Sequence, residues 1–150
     1  MSAHPRRRFV PEGWPIVTPR IFAPDPERLV AFIKRVFAAT GDVRGDRPTE
    51  VRIGDSVILV SDASTREPAG AFLYVYVEDA DATYQRALAA GARPIEPPSD
   101  MPYGDRRAMV EDDWGNTWQI ATHRPPRSRT RSGPKTRPGS STRSGPGTKP

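Results

Sequence analysis

The chain has no cysteine, which excludes disulfides, thiolate nucleophiles and Cys-ligated metals and removes any sign of an oxidising compartment. Histidine is almost missing as well, with only His4 and His123 among 150 residues. No apolar run exceeds the seven residues of 71–77, far short of the roughly 20 that a membrane helix needs. Arg6, Arg7 and Arg8 resemble the start of an export signal, but Pro11, Glu12, Gly13 and Pro15 break the apolar stretch that should follow. These absences predict a soluble, cytoplasmic protein with no membrane partner. Acidic residues are also absent from one end: all 18 lie at or before Asp113, whereas eight of the 23 basic residues follow His123. Residues 1–123 therefore hold 15 basic against 18 acidic side chains, a net of −3, and the tail carries +8, which makes the net charge of the chain +5.

Residues 124–150 use only Arg, Lys, Pro, Gly, Ser and Thr. Nothing in that set offsets the entropy of ordering a chain, so the tail is expected to be disordered. TRSGP recurs at 130–134 and 142–146, a low-complexity repeat rather than a structural period. Clustered cations suit nucleic acid, but no aromatic residue is present to stack on bases, and a solvated extension is the favoured reading. Residues 1–13 read as a flexible arm, which leaves 14–123 as one domain.

That domain is built from two halves on one plan. A strand is expected over 16–22. Asp25 follows as N-cap with Pro26 and Glu27 in the first turn, then Leu29, Phe32, Ile33, Val36 and Phe37 on one helical face before Gly41. Two β-branched stretches, 50–53 and 56–61, flank the turn signal Gly54-Asp55. The second half repeats the order. It has a strand over 71–77, Asp79 or Asp81 as cap, Tyr84, Ala87 and Leu88 on a helix ending at Gly91, and a strand over 93–96. A loop over 97–104 and a hairpin of 107–111 and 117–122 around Gly115-Asn116 complete it.

The stretch 101–106 (MPYGDR), followed by Asp112, Gly115, Asn116, Trp118 and 120–123 (IATH), resembles the vicinal oxygen chelate superfamily, in its glyoxalase-like and bleomycin-resistance-like branch. The likeness covers about 14–123. Asp113 stands where that family usually has proline. The resemblance implies an α+β fold of two βαβββ modules whose curled mixed sheets enclose a cavity, often as a homodimer. It also implies, for the enzymatic members, a divalent metal held by His and Glu at four equivalent strand positions. Matched through the repeat, those positions are Thr18, Ile58, Phe72 and Gln119. None is a usual ligand, and the expectation is no metal and no cofactor.

Strand alternation would turn Val17, Ile21, Leu73, Val75 and Val77 towards the helices. Thr18, Arg20, Phe22, Phe72, Tyr74 and Tyr76 would then face the cavity, joined by Ile58, Val60, Met109, Thr117 and Gln119. A mostly apolar concavity with few polar groups suits a small organic ligand. The aromatics either line it or pack on one another or on a second subunit. The loop 103–106 either closes over the cavity, with Tyr103 and Arg106 reaching a ligand, or is fixed by an Asp105 to Arg106 ion pair. Trp118 is expected in the core and Trp114 at a dimer contact. Asp112 and Asp113 are read as turn residues and His123 as a structural or solvent-facing group. No catalytic base or nucleophile stands out. Metal-free binding or sequestration of a small organic molecule is thus the leading reading. An enzyme of the lyase, isomerase or dioxygenase kind with a non-standard site stands beside it, and tail-mediated binding of a polyanion is the third.

Overall fold

A computed structural model describes residues 9–124, so the expectations for most of the N-terminal arm and for the basic tail lie outside the described residues. The chain runs β1 (Arg20–Ala23), α1 (Pro26–Phe37), β2 (Thr49–Ile53), β3 (Ser56–Asp62), β4 (Phe72–Tyr76), α2 (Ala80–Ala89), β5 (Arg93–Asp100), β6 (Asp105–Glu111) and β7 (Thr117–His123). Two mixed sheets result, ordered β1-β3-β2 and β4-β7-β6-β5. In each, the first strand lies parallel to the last and the remaining pairs are antiparallel. This is the expected α+β plan, with the two sheets left unclosed.

The halves are unequal. The strand that should follow α1 is reduced to one bridge, in which Thr40 and Arg52 exchange backbone hydrogen bonds of 3.0 and 2.8 Å. Residues 41–48 contain two glycines, two aspartates and a proline, which are poor strand formers. The first module is therefore βαββ, and only the second is a full βαβββ unit.

Helix α1 buries Leu29, Val30, Phe32, Ile33, Val36 and Phe37, the face that the three- and four-residue spacing implies. Asp25 occupies its N-cap position without a side-chain cap bond, whereas Asp79, rather than Asp81, caps α2 by accepting from Ala82 N at 3.1 Å. Both helices lie against one shared core. Phe37 meets Trp118 of β7 at 5.0 Å between ring centroids, and Arg86 of α2 donates to the Val36 carbonyl. Trp118 is fully buried, and Trp114 packs on Phe32 at 6.0 Å. The β6–β7 turn is organised by Asp112, which is wholly buried and accepts four hydrogen bonds from Trp114 N, Asn116 N, Asn116 Nδ2 and Trp118 Nε1.

Three boundaries move from their expected places. β1 begins at Arg20 rather than at residue 16, because Pro15 and Pro19 have no N–H to give to a ladder. Ile16 and Val17 are exposed, so Val17 does not face the helices. β5 continues through Pro97 and Pro98 to Asp100 with register shifts on the way, as an edge strand permits. β6 starts at Asp105, leaving only residues 101–104 as a turn closed by Gly104 N to Met101 O at 3.1 Å.

Candidate functional site

One face of each sheet carries the core; the other is open. In the second sheet, register places Phe72, Tyr74 and Tyr76 of β4 beside Thr117, Gln119 and Ala121 of β7. These in turn lie beside Glu111, Met109 and Arg107 of β6, with Asp105 opposite His123 at the end. All therefore share the open face, while Leu73, Val75 and Val77 pack towards the core. Phe72 and Tyr76 stay 64% and 61% exposed, an aromatic row with nothing over it.

Under this row lies a carboxylate network. Tyr74 Oη donates to Asp105 Oδ2 at 2.6 Å and Tyr76 Oη donates to the same oxygen at 3.0 Å, their rings 5.3 Å apart. His123 Nδ1 lies 2.8 Å from Asp105 Oδ1. Asp105 is buried, and His123 stands out into solvent. The Tyr74 phenol and the His123 ring hold the Asp105 carboxyl below the usual carboxylate range. Burial and the bond to Asp105 push the Tyr74 hydroxyl up; the same bond raises Tyr76. The resting arrangement is thus a carboxylate receiving three donors, with both phenols protonated. Beside it, Arg107 donates to Glu96 Oε2 at 2.9 Å and to Tyr103 Oη at 3.2 Å. Its buried Nε has no partner among the described residues.

An open cleft of 1130 Å³ runs along the free edge of β4. Its far wall is the β2–β3 turn with Pro19, Phe37 and Ile58, and Tyr74, Tyr76 and His123 stand on its rim. The cleft lies where the two sheets fail to meet.

The remaining expected site residues scatter. Arg20 and Phe22 share the open face of the first sheet, where the Arg20 guanidinium lies 4.9 Å over the Phe22 ring and its Nε donates to Ser61. Thr18 precedes β1 and lies in no strand. Ile58 and Val60 face the core with Ile21 rather than the cavity, although Ile58 reaches the cleft wall. Their register explains this: Val51 pairs with Ile58 and Thr49 with Val60, and both partners are buried. Arg106 also points the other way. It forms a two-point ion pair with Asp81 of α2 at 2.7 and 2.9 Å and a third contact with Asp100. The expected Asp105 to Arg106 pair does not form, because neighbours in a strand project to opposite faces.

The family model for the Glyoxalase/Bleomycin resistance protein/Dioxygenase superfamily matches residues 16–120. The chain belongs to that superfamily. TioX from Micromonospora sp. ML1 is 25% identical, with a TM-score of 0.63 over 71% of this chain and 97% of that one. A family enzyme from Burkholderia phytofirmans PsJN has the same fold, at 24% identity and a TM-score of 0.62 over 71% and 96% of the two chains. Uncharacterised proteins of Mycobacterium bovis and Mycobacterium tuberculosis are 40% identical over 48 residues, 32% of this chain. That match spans 32% and 28% of their own lengths.

The side chains at the four positions matched through the repeat do not fit a divalent ion. Thr18 offers one hydroxyl outside the sheet, Ile58 and Phe72 offer no donor, and Gln119 offers one neutral amide. Among the described residues no three His, Asp or Glu side chains converge, and a catalytic metal centre takes about three such ligands.

Proposed function

We propose that the protein binds a small organic molecule with a flat aromatic part in the cleft along β4, without a metal. The observation that carries this reading is the uncovered aromatic row Phe72, Tyr74 and Tyr76, whose two tyrosines are fixed beneath by Asp105 and line a cleft of 1130 Å³. Such a volume is ample for a drug-sized or metabolite-sized ligand, and an apolar wall with a few fixed polar groups is what orients one. Thr18 and Arg106 have no part in the site. Arg107 and Glu96 join Phe72, Tyr74, Tyr76, Tyr103, Met109 and Gln119 as the residues that line the open face.

A thermal-shift screen of aromatic metabolites and antibiotics, with and without divalent metal, tests the reading, because a ligand of the native state raises its apparent stability. A metal-independent hit is expected to weaken about tenfold or more in Phe72→Ala and Tyr76→Ala, since each ring can bury enough surface for roughly 1.5–3 kcal/mol. Neither variant should lower the unfolding free energy by more than about 1 kcal/mol, because both rings are largely exposed in the free protein. Hits that need metal, or that bind both variants unchanged, refute the proposal. A second copy of the chain would cover the same row, and sedimentation at rising concentration separates that outcome from ligand binding.

A further inference from the structure

We infer that His123 is a proton acceptor towards the bound molecule, with Asp105 as its positioning residue, so that the cleft selects ligands carrying an acidic hydroxyl. The inference rests on the cleft being a ligand site and adds to that reading the chemistry at one end of it.

Three features of geometry carry it. Asp105 Oδ2 is fully committed to two phenols, Tyr74 at 2.6 Å and Tyr76 at 3.0 Å, which leaves Oδ1 for the imidazole alone at 2.8 Å. A carboxylate accepts, so Nδ1 carries the hydrogen in that bond and the neutral ring holds its lone pair on Nε2. Nε2 has no hydrogen-bond partner among the described residues, and the ring stands exposed on the rim of the cleft. A buried carboxylate behind an imidazole whose second nitrogen meets a ligand space is the arrangement that fixes tautomer and orientation in acid–base sites. A carboxylate serving only to pin the end of β7 would not need two phenols to fix its own position.

The step balances simply. The ligand O–H bond breaks, its electron pair stays on oxygen, and the proton forms an N–H bond at Nε2; the imidazolium produced remains paired with the Asp105 carboxylate. Other titratable groups lining the cleft are Asp55, Tyr74, Tyr76, Glu78, Asp79 and Arg86, with Tyr103 beside Tyr74. Both phenols are spent on Asp105, Asp79 caps α2, and Arg86 is held by the Val36 carbonyl and Thr83. Asp55 and Glu78 are exposed, and at that exposure water screens them.

Two measurements on the full chain decide the matter. Long-range ¹H–¹⁵N spectra contain signals from only two histidines, assigned with His123→Gln. At high pH His123 is expected as the Nδ1–H form, whereas an imidazole without such a partner is mostly the Nε2–H form. Asp105→Asn should shift His123 towards the Nε2–H form. An Nε2–H ring in the parent protein, or spectra unchanged by Asp105→Asn, overturns the inference.

The second measurement titrates 4-nitrophenol and 4-nitroanisole, which share a ring but differ in the acidic hydroxyl, at a pH below the phenol's own transition. The parent is expected to bind the phenol as the coloured phenolate. His123→Gln should lose about ten- to a hundredfold in phenol affinity, as for a charged hydrogen bond removed, with 4-nitroanisole affinity unchanged. Binding of 4-nitroanisole without phenolate formation overturns the inference alone. Failure of 4-nitroanisole to bind overturns the cleft reading beneath it and the inference with it, whatever the tautomer.

Discussion

Asp112→Asn is the most demanding test of how the second module is held together. The carboxylate is wholly buried, with Oδ1 accepting from Trp114 N and Asn116 N at 2.9 Å each. Its Oδ2 accepts from Asn116 Nδ2 at 2.9 Å and Trp118 Nε1 at 2.8 Å. An asparagine fits the space but brings one acceptor and one donor. Whichever way its amide turns, two buried donors lose their acceptor and face an N–H₂ instead. Asn116 cannot compensate by turning over, because its Oδ1 already accepts from Ala71 N at 3.0 Å at the start of β4. At about 1–3 kcal/mol for each orphaned buried donor, the substitution should cost roughly 2–5 kcal/mol. For a domain of this size that is a fall in melting temperature of about 8–20 °C. Urea unfolding followed by far-ultraviolet circular dichroism measures it. In a Trp118→Phe background one of the two donors is already gone, so the cost of Asp112→Asn should shrink by about 1–3 kcal/mol. A single variant within about 0.5 kcal/mol of the parent, or full additivity of the pair, refutes the reasoning.

Two further outcomes follow from contacts elsewhere. A Cβ at Gly70 would lie 2.2 Å from the Gly115 carbonyl oxygen, backbone that cannot swing aside. Gly70→Ala should therefore destabilise by about 1–3 kcal/mol in urea titrations, whereas Gly45→Ala, which meets nothing within 4 Å, should stay within about 0.5 kcal/mol; equal effects would refute the close approach. Acid should destabilise the fold through Asp81 and Asp105, held below the usual carboxylate range by the Arg106 guanidinium and by the Tyr74 and His123 contacts. Near pH 4 each binds fewer protons folded than unfolded, so their contribution is complete above about pH 4 and is lost as pH falls below it. The drop in urea midpoint from about pH 6 to about pH 3 should shrink in Asp81→Asn, and an undiminished drop counts against the assignment.

What the sequence makes legible is whatever depends on local periodicity. The α1 face needs only the spacing of Leu29, Phe32, Ile33, Val36 and Phe37, and those side chains are buried as the spacing implies. The β2–β3 turn needs only Gly54-Asp55, the two-residue link between the paired Ile53 and Ser56, with Gly54 at φ 58° as such a turn requires. Proline hides the second half of β5, since Pro97 and Pro98 look like loop unless the strand is known to lie at an edge. Counting from turn glycines also misleads. Gly54 and Gly115 each stand two residues before their following strand, but the first turn has two residues and the second five. The side chains at the same count, Ile58 and Gln119, therefore fall on opposite faces, the core for one and open solvent for the other.

The same pairing rule exposes the feature of most chemical interest, and shows why composition misses it. A lone histidine at a strand end carries no signal of its own. Once Glu111 faces Thr117 across the β6–β7 turn, however, the register runs through Met109 and Gln119, then Arg107 and Ala121, to Asp105 and His123. A hairpin taken to begin at Arg107 stops one pair short of the dyad on that face. The tyrosines complete the set for the same reason, because β4 is parallel to β7 and its alternate residues Tyr74 and Tyr76 must lie on the face that Gln119 and Ala121 share. Arg106 is the opposite case. Adjacency suggests Asp105 as its partner, but alternation forbids it, and the true partner Asp81 lies 25 residues away on α2, where only the docking of the helix could reveal it. Pairs fixed by register can be counted out along a hairpin, whereas pairs fixed by packing between layers cannot. The His123 site belongs to the first kind, and so its geometry depends on the β6–β7 turn that Asp112 holds.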